Sequence, residues 1–109
     1  MAYQSTYRYA RSSARKARLV ADLIRNKTID QALVDLRFSK KRAAVMVRKC
    51  LESAKANADQ AEADVRRLVV TEARVDEGPT IKRWQPKDRG RAHPIQKKTC
   101  HIHVAVDER

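Results

Sequence analysis

Cys100, His101 and His103 lie within four consecutive positions and are the residues best suited to hold a transition metal. The stretch around them alternates apolar and polar, as a strand does, which sends Cys100 to one face and the two histidines to the other. Two ligands on one face do not make a closed tetrahedral site, so no metal is expected. Cys50 and Cys100 each fall on an apolar face, where a free cysteine behaves as a small hydrophobe. Asp76 and Glu77 form a lone acidic pair at a turn. No Cys-x-x-Cys pair, phosphate loop or supported Ser/His/Asp constellation is present, and two glycines leave little backbone for a nucleotide-cradling loop. The sequence therefore offers no catalytic residues and calls for no cofactor.

Its chemistry lies in its cations. Between Thr80 and His101 the chain carries Lys82, Arg83, Lys87, Arg89, Arg91, Lys97 and Lys98 against one acid, Asp88, a local charge of +6 within a formal +12. Apolar residues there are few and scattered, so the segment buries too little surface to order itself and is suited to a polyanion. Trp84, the single tryptophan, sits inside this run, where it can stack on an unpaired base or contact a neighbour across a hairpin such as His93.

Two further cationic groups occupy expected helix starts. Arg15, Lys16 and Arg18 fall in the first turns of one helix, and Lys40, Lys41 and Arg42 in the first turn of another. The macrodipole favours acids at both places, and each exposed cation costs about 0.3–1 kcal/mol. A phosphate at either end would bond the free N–H groups and pair with the cations at once.

These residues must be held by a small set of elements. Residues 2 to 9 alternate Tyr3, Ser5, Tyr7 and Tyr9 with Gln4, Thr6 and Arg8, a strand pattern. Ser12 or Ser13 can cap a helix with the apolar stripe Leu19, Val20, Leu23 and Ile24, closed by a left-handed Asn26. Thr28 and Gln31 spell a capping box before a short helix with Ile29, Ala32, Leu33 and Leu36 inward. Ser39 caps the longest helix, roughly 40 to 59, with Ala43, Val47, Cys50, Leu51, Ala54 and Ala58 on one face. Pattern alone leaves Asp59 to Arg67 open between a frayed helix end and a loop.

Strand patterns return over Leu68–Val75 and Cys100–Val106. A hairpin centred near Asp88 and Arg89 places Val75 opposite Ile102 and Ala73 opposite Val104, so the apolar faces coincide. One long antiparallel hairpin then explains residues 68 to 106. Its outer ten residues, at ~3.3 Å each, would reach about 30 Å from the body. Pro86 and Pro94 cannot donate to a ladder, so irregular pairing is expected near the tip.

At 109 residues the chain is one domain with a small, alanine-rich core. A pI near 10.3 fits nucleic acid better than a small-molecule enzyme. No apolar run approaches the roughly 20 residues of a spanning helix, so no membrane partner is expected. Residues 1 to 9 carry neither a signal-peptide nor a presequence pattern, and the expected address is cytoplasmic, where a disulfide is not expected.

Val75-Asp76-Glu77-Gly78-Pro79, followed by Lys82-Arg83, Pro86, Gly90-Arg91-Ala92, Ile95, Lys97-Lys98-Thr99 and His101-Ile102, closely resembles the hairpin signature of ribosomal large-subunit protein twenty-two. Arg11-Ser12-Ser13, Lys16, the run Arg18 to Arg25, Leu51-Glu52-Ser53-Ala54 and Ala56-Asn57-Ala58 resemble that family's helix segments. The likeness runs from about Arg8 to Val106. Asn26 stands where glycine is usual, Cys100 where serine is usual, and Asp88 places an acid at a tip that is usually basic or neutral.

The resemblance implies an α+β fold, a three-stranded antiparallel sheet packed with three helices and a long protruding basic β-hairpin. It implies a single rRNA-binding domain, with a body over 1–79 and 99–109 and an arm over 80–98. The body would sit on large-subunit rRNA near the outer end of the peptide exit tunnel, as a monomer within the ribosome. The hairpin would line the tunnel opposite large-subunit protein four, past which the nascent peptide moves, and the chain would support subunit assembly. Together with the charge pattern this makes Arg8, Arg11, Arg15, Lys16, Arg18, Lys40, Lys41, Arg42, Lys82, Arg83, Trp84, Lys87, Arg89, Arg91, Lys97 and Lys98 the expected rRNA contacts. Lys87, Asp88, Arg89, Gly90 and Arg91 form the expected tunnel-facing tip. The alternative is an architectural DNA-binding protein with paired basic β-arms that wedge proline between bases. A small RNA-modifying enzyme would need a metal or an acid/base cluster, and none is legible.

Overall fold

Alternation of small apolar residues with polar ones builds one three-stranded sheet, and alanine-rich helix faces lie on it. The structure is a computed structural model that describes residues 2–87 and 90–108, with backbone alone at 87 and 91–93. The order is β1 (Tyr3–Ala10), α1 (Ala14–Ile24), α2 (Ile29–Phe38), α3 (Ala43–Gln60), a 3-10 turn (Val65–Arg67), β2 (Leu68–Glu77), β3 (Ile81–Lys87), β4 (Arg91–Lys97) and β5 (Cys100–Glu108). β5 lies between β1 and β2, antiparallel to both, and β3 pairs with β4 in a separate two-stranded sheet. The class is α+β.

The body register has Val75 opposite Ile102 and Ala73 opposite Val104, so the inward faces of β2 and β5 coincide as expected. Leu68, Val70, Ile102, Val104 and Val106 are fully buried against Val47, Leu51, Ala54 and Ala58 of α3 and Val20 and Ile24 of α1. Thr71 is an extra residue in β2 at the shift between Val70 and Glu72, and its hydroxyl donates to the Ala105 carbonyl at 3.2 Å.

Three local readings are corrected. The inward face of α1 is Ala14, Ala17, Val20, Ala21 and Ile24, while Leu19 and Leu23 are exposed. Alanines let the helix backbone approach the sheet, and the two leucines are left on the far side. Tyr9 does not continue the alternation of β1. It takes φ +56°, a bulge follows, and Ala10 fills the inward position opposite Cys100. Thr28 makes no side-chain cap at α2, because the chain there bridges to β2: Thr28 pairs with Val69, Asn26 donates to the Val70 carbonyl, and Val70 donates to the Lys27 carbonyl.

Asn26 is left-handed (φ +66°), as expected for the residue closing α1. The open stretch after residue 59 resolves as one more residue of helix and a Schellman closure. Glu62 (φ +63°) donates to the Asp59 carbonyl and Ala63 to the Ala58 carbonyl, each at 3.0 Å.

Side chains bond carbonyls on both outer strands of the sheet. On β2, Arg18 Nε donates to the Val75 carbonyl at 3.2 Å and an Arg25 Nη donates to the Ala73 carbonyl at 2.6 Å. On β1, Asn57 Nδ2 donates to the Gln4 carbonyl and Cys50 Sγ to the Ser5 carbonyl.

The expected single hairpin over 68 to 106 is interrupted. Gly78 N–H still bonds the Thr99 carbonyl in the body register, but from Ile81 opposite Lys97 the pairing has moved by one residue. Pro79 and Thr80 face Lys98 across this joint, two residues against one, so the ladder breaks into two sheets. The irregular pairing expected near the tip is not found among the described residues of the ribbon. Trp84 pairs with Pro94 and Pro86 with Ala92, in constant register through Lys87 opposite Arg91. Both prolines share one phase of the ladder, and the phase whose N atoms point outward asks no bond of either. The molecule is 62 × 24 × 17 Å, with a Cα radius of gyration of 16.8 Å against about 13 Å for a compact chain of this length.

Candidate nucleic-acid interface

The starts of α1 and α3 and the root of the arm converge on one groove. Arg11, Ser12, Ser13, Lys16 and Leu19 line it from α1 and the residues leading into it, Lys41, Arg42, Ala43 and Met46 from α3 and the turn before it, and Gln96 and Lys98 from the arm, around about 720 Å³. Five cations and no carboxylate line it, so its potential is strongly positive. Sequence separations of up to 87 positions had kept these groups apart.

The two helix starts contribute differently. Ser13 caps α1, its hydroxyl accepting from Lys16 N–H at 3.4 Å, and Arg15 and Lys16 fall in the first turn with no acid there. Ala14 and Arg15 have no carbonyl one turn back, so their amides suit an anion. In α3 the helix begins at Ala43, not at residue 40. Ser39 accepts from Lys41 N–H in the preceding turn, Arg42 sits at the cap position, and Lys40 and Lys41 lie outside the helix. Lys41 and Arg42 bring charge to the groove rather than burden the first turn, and Lys40, exposed, does not line it.

Several expected contacts lie elsewhere. Arg15 lines a smaller adjoining recess with Ser13, Glu77, Gly78 and Thr99, and Lys98 borders both this recess and the groove. Arg18 has one guanidinium N–H committed to β2. Arg8 belongs to the outer sheet face, in a shallow hollow with Thr6, Tyr9, Arg74, Asp76, His101 and His103. There Tyr9 meets His101 edge-on at 4.9 Å, Thr6 Oγ1 lies 2.9 Å from His103 Nδ1, and Arg74 bridges Glu72 and Asp76 at 3.0 and 3.4 Å. That hollow has its charges largely paired, unlike the groove. Leu19, Met46 and Gln96 were not legible as groove residues, since nothing local to them signals a ligand.

On the arm the register sorts residues by face. Arg83 and Lys97 occupy positions of one phase, which Lys87 and Arg91 share, while Trp84, Pro86 and Pro94 occupy the other. Trp84 is 71% exposed, and the residue opposite it is Pro94 rather than His93. Gly90 has φ +71°, as a tip glycine should. Asp88 and Arg89, two of the expected tip residues, lie outside the described residues.

Cys50 and Cys100 are free and buried. Burial pushes both thiols up, against nearby hydrogen bonds at Cys50 and the charge of Arg18 at Cys100, so neither is a ready thiolate. Among the described residues no His, Cys, Asp and Glu group is arranged to hold a metal ion, and no helix is long and apolar enough to cross a membrane.

A basic body groove and a cationic ribbon are the electrostatic footprint of a nucleic-acid-binding protein. A comparison with protein families gives a match over residues 5–107 to Ribosomal protein L22p/L17e, spanning from β1 to β5. The chain belongs to the ribosomal protein L22p/L17e family, rRNA-binding structural components of the large ribosomal subunit and not a family of enzymes.

Proposed function

We propose that the body of this chain binds large-subunit rRNA through the groove between α1, α3 and the arm root, and that the arm enters the subunit and lines the peptide exit tunnel. The observation that carries this reading is the convergence of Arg11, Lys16, Lys41, Arg42 and Lys98 at the point where the arm leaves the body. A polyanion seated there is led onto the ribbon, whose cations continue outward. The body, residues 1–79 and 99–109, anchors. The arm, residues 80–98, extends into RNA that supplies the covering layer a two-stranded ribbon lacks. Lys87, Asp88, Arg89, Gly90 and Arg91 would form the tunnel-facing tip, passed by the nascent peptide and facing large-subunit protein four.

Assembly tests the division of labour. Large subunits reconstituted with a chain lacking Thr80 to Lys98, its strands joined by Asn-Gly, should incorporate the body with weaker or slower assembly. Failure of the full-length chain to co-sediment with large subunits would refute the reading. An architectural DNA role would need two arms from a dimer, and size-exclusion chromatography at micromolar concentration should return a monomer.

A further inference from the structure

We infer that the groove between α1, α3 and the arm root recognises an unpaired nucleotide of rRNA, holding its base as well as its phosphate. The inference rests on the rRNA-binding reading and specifies which RNA feature the groove takes.

The lining has two kinds of surface. Arg11, Lys16, Lys41, Arg42 and Lys98 supply charge, and Leu19, Ala43 and Met46 supply apolar contact within the same cavity. Leu19 is 53% exposed although it lies on a helix with ample alanine facing inward, so the fold does not use it as core. A groove made only to neutralise a duplex backbone gains nothing from an aliphatic side chain at its wall. A-form RNA presents phosphates and ribose along its surface, with its bases stacked inside. Covering Leu19 and Met46 with phosphates would dehydrate charge against carbon, which is unfavourable.

An unpaired nucleotide suits both surfaces. Its phosphate can meet the first-turn amides of α1 with Lys16 and Arg11 beside them, while its base lies on Leu19 and Met46 and Gln96 offers an amide to a base edge. A cavity of about 720 Å³ lies within the ~300–1,000 Å³ range of small-ligand pockets, ample for one nucleotide. The absence of acids in the lining removes the repulsion a phosphate would otherwise meet.

Chemical probing of large-subunit rRNA bound to the purified full-length chain tests this directly. Dimethyl sulfate and a carbodiimide report unpaired base edges, and hydroxyl radicals report the backbone. The wild-type chain should protect at least one unpaired base together with its flanking backbone. Leu19→Ser should return that base severalfold toward its free reactivity, leave backbone protection in place and weaken binding about tenfold, the loss expected for uncovering most of one aliphatic side chain. Leu19→Met should restore base protection. Lys41→Ala should weaken base and backbone protection together. Identical base reactivities with wild type and Leu19→Ser would overturn the inference while leaving rRNA binding intact. No footprint of either kind would remove the rRNA-binding reading itself.

Discussion

Thr99 closes the joint between body and arm: its hydroxyl donates to the Pro79 carbonyl at 2.5 Å while its own carbonyl accepts from Gly78 N–H at 3.0 Å. Thr99 is almost wholly buried, so both bonds are shielded from water. They fix the direction of the ribbon where the register changes. A Cβ built on Gly78 would stand 2.7 Å from Thr99 Oγ1, so the clasp leaves room for glycine alone.

Gly78→Ala should therefore destabilise the free protein by about 1–3 kcal/mol, the usual range for forcing an extra methyl into a packed site. Thr99→Ala should cost about 0.5–1.5 kcal/mol through the lost bond alone. Combining Gly78→Ala with Thr99→Ala removes the crowded oxygen, so the double variant should lose less than the two single losses added. Urea unfolding of all four chains measures this coupling. Strict additivity would show that the clasp is not the constraint.

The tip glycine is a contrasting case. Among the described residues nothing lies within 4 Å of a Cβ at Gly90, and its φ of +71° is the constraint they show. Gly90→Val should cost about 1–2 kcal/mol locally. That cost falls on the ribbon, so the thermal midpoint of the body should stay within about 2 °C, and Gly90→Asn should be better tolerated. A large fall in the body midpoint would tie the tip to the core.

Salt dependence probes the groove. Affinity for large-subunit rRNA should fall steeply with salt, and Lys41→Ala or Lys98→Ala should each reduce the logarithmic slope by about 0.7–0.9. Lys40→Glu with Lys41→Glu should weaken binding while leaving the free fold intact, because both side chains are exposed and precede α3. Filter binding between 50 and 200 mM salt, with circular dichroism of the free variants, checks both statements.

The buried thiols give a pH signature. Burial raises the Cys50 and Cys100 pKa values above that of an unfolded thiol, about 8.5. The folded state thus holds these protons more tightly. The resulting stability is complete below the unfolded pKa and is lost as pH rises past it toward the folded value. The wild-type thermal midpoint should fall between pH 8 and 9.5 more steeply than that of a Cys50→Ser, Cys100→Ser variant. Parallel profiles would show that the thiols do not contribute.

Much of this architecture could be read from pattern because its signals are local. The register of Val75 on Ile102 follows from two alternating runs and a turn centre, and residue type and position narrow the cap to Ser12 or Ser13, of which the fold uses Ser13. The inward face of α1 was misread because Leu19 and Leu23 carry more hydrophobic signal than Ala14, Ala17 and Ala21. Close approach to a sheet favours the smaller side chains, which only packing reveals. Thr28 failed as a capping residue because β2, forty residues later, competes for the same chain. The groove was half legible: its cations stood out singly, but their meeting at one cavity depends on how α1 and α3 lie beside the arm root. Leu19 at its wall carried no local mark at all.

The ribbon should be the least protected part of the free protein. β3 and β4 pair mainly with each other, and Trp84 is largely exposed. Amide hydrogen exchange should be fast over residues 81–87 and 91–97 and slow in α3 and β5, with ribbon protection rising on rRNA binding. Ribbon protection equal to that of α3 in the free chain would mean the arm needs no RNA to order it.

Electron cryo-microscopy of large subunits assembled with this chain is the most direct test of the central claim. The body should lie on the rRNA surface with Lys16, Lys41, Arg42 and Lys98 against phosphates, and the arm should run inward until Gly90 borders the tunnel. An arm turned out to solvent, or a body seated by its outer sheet face with the groove empty, would contradict it.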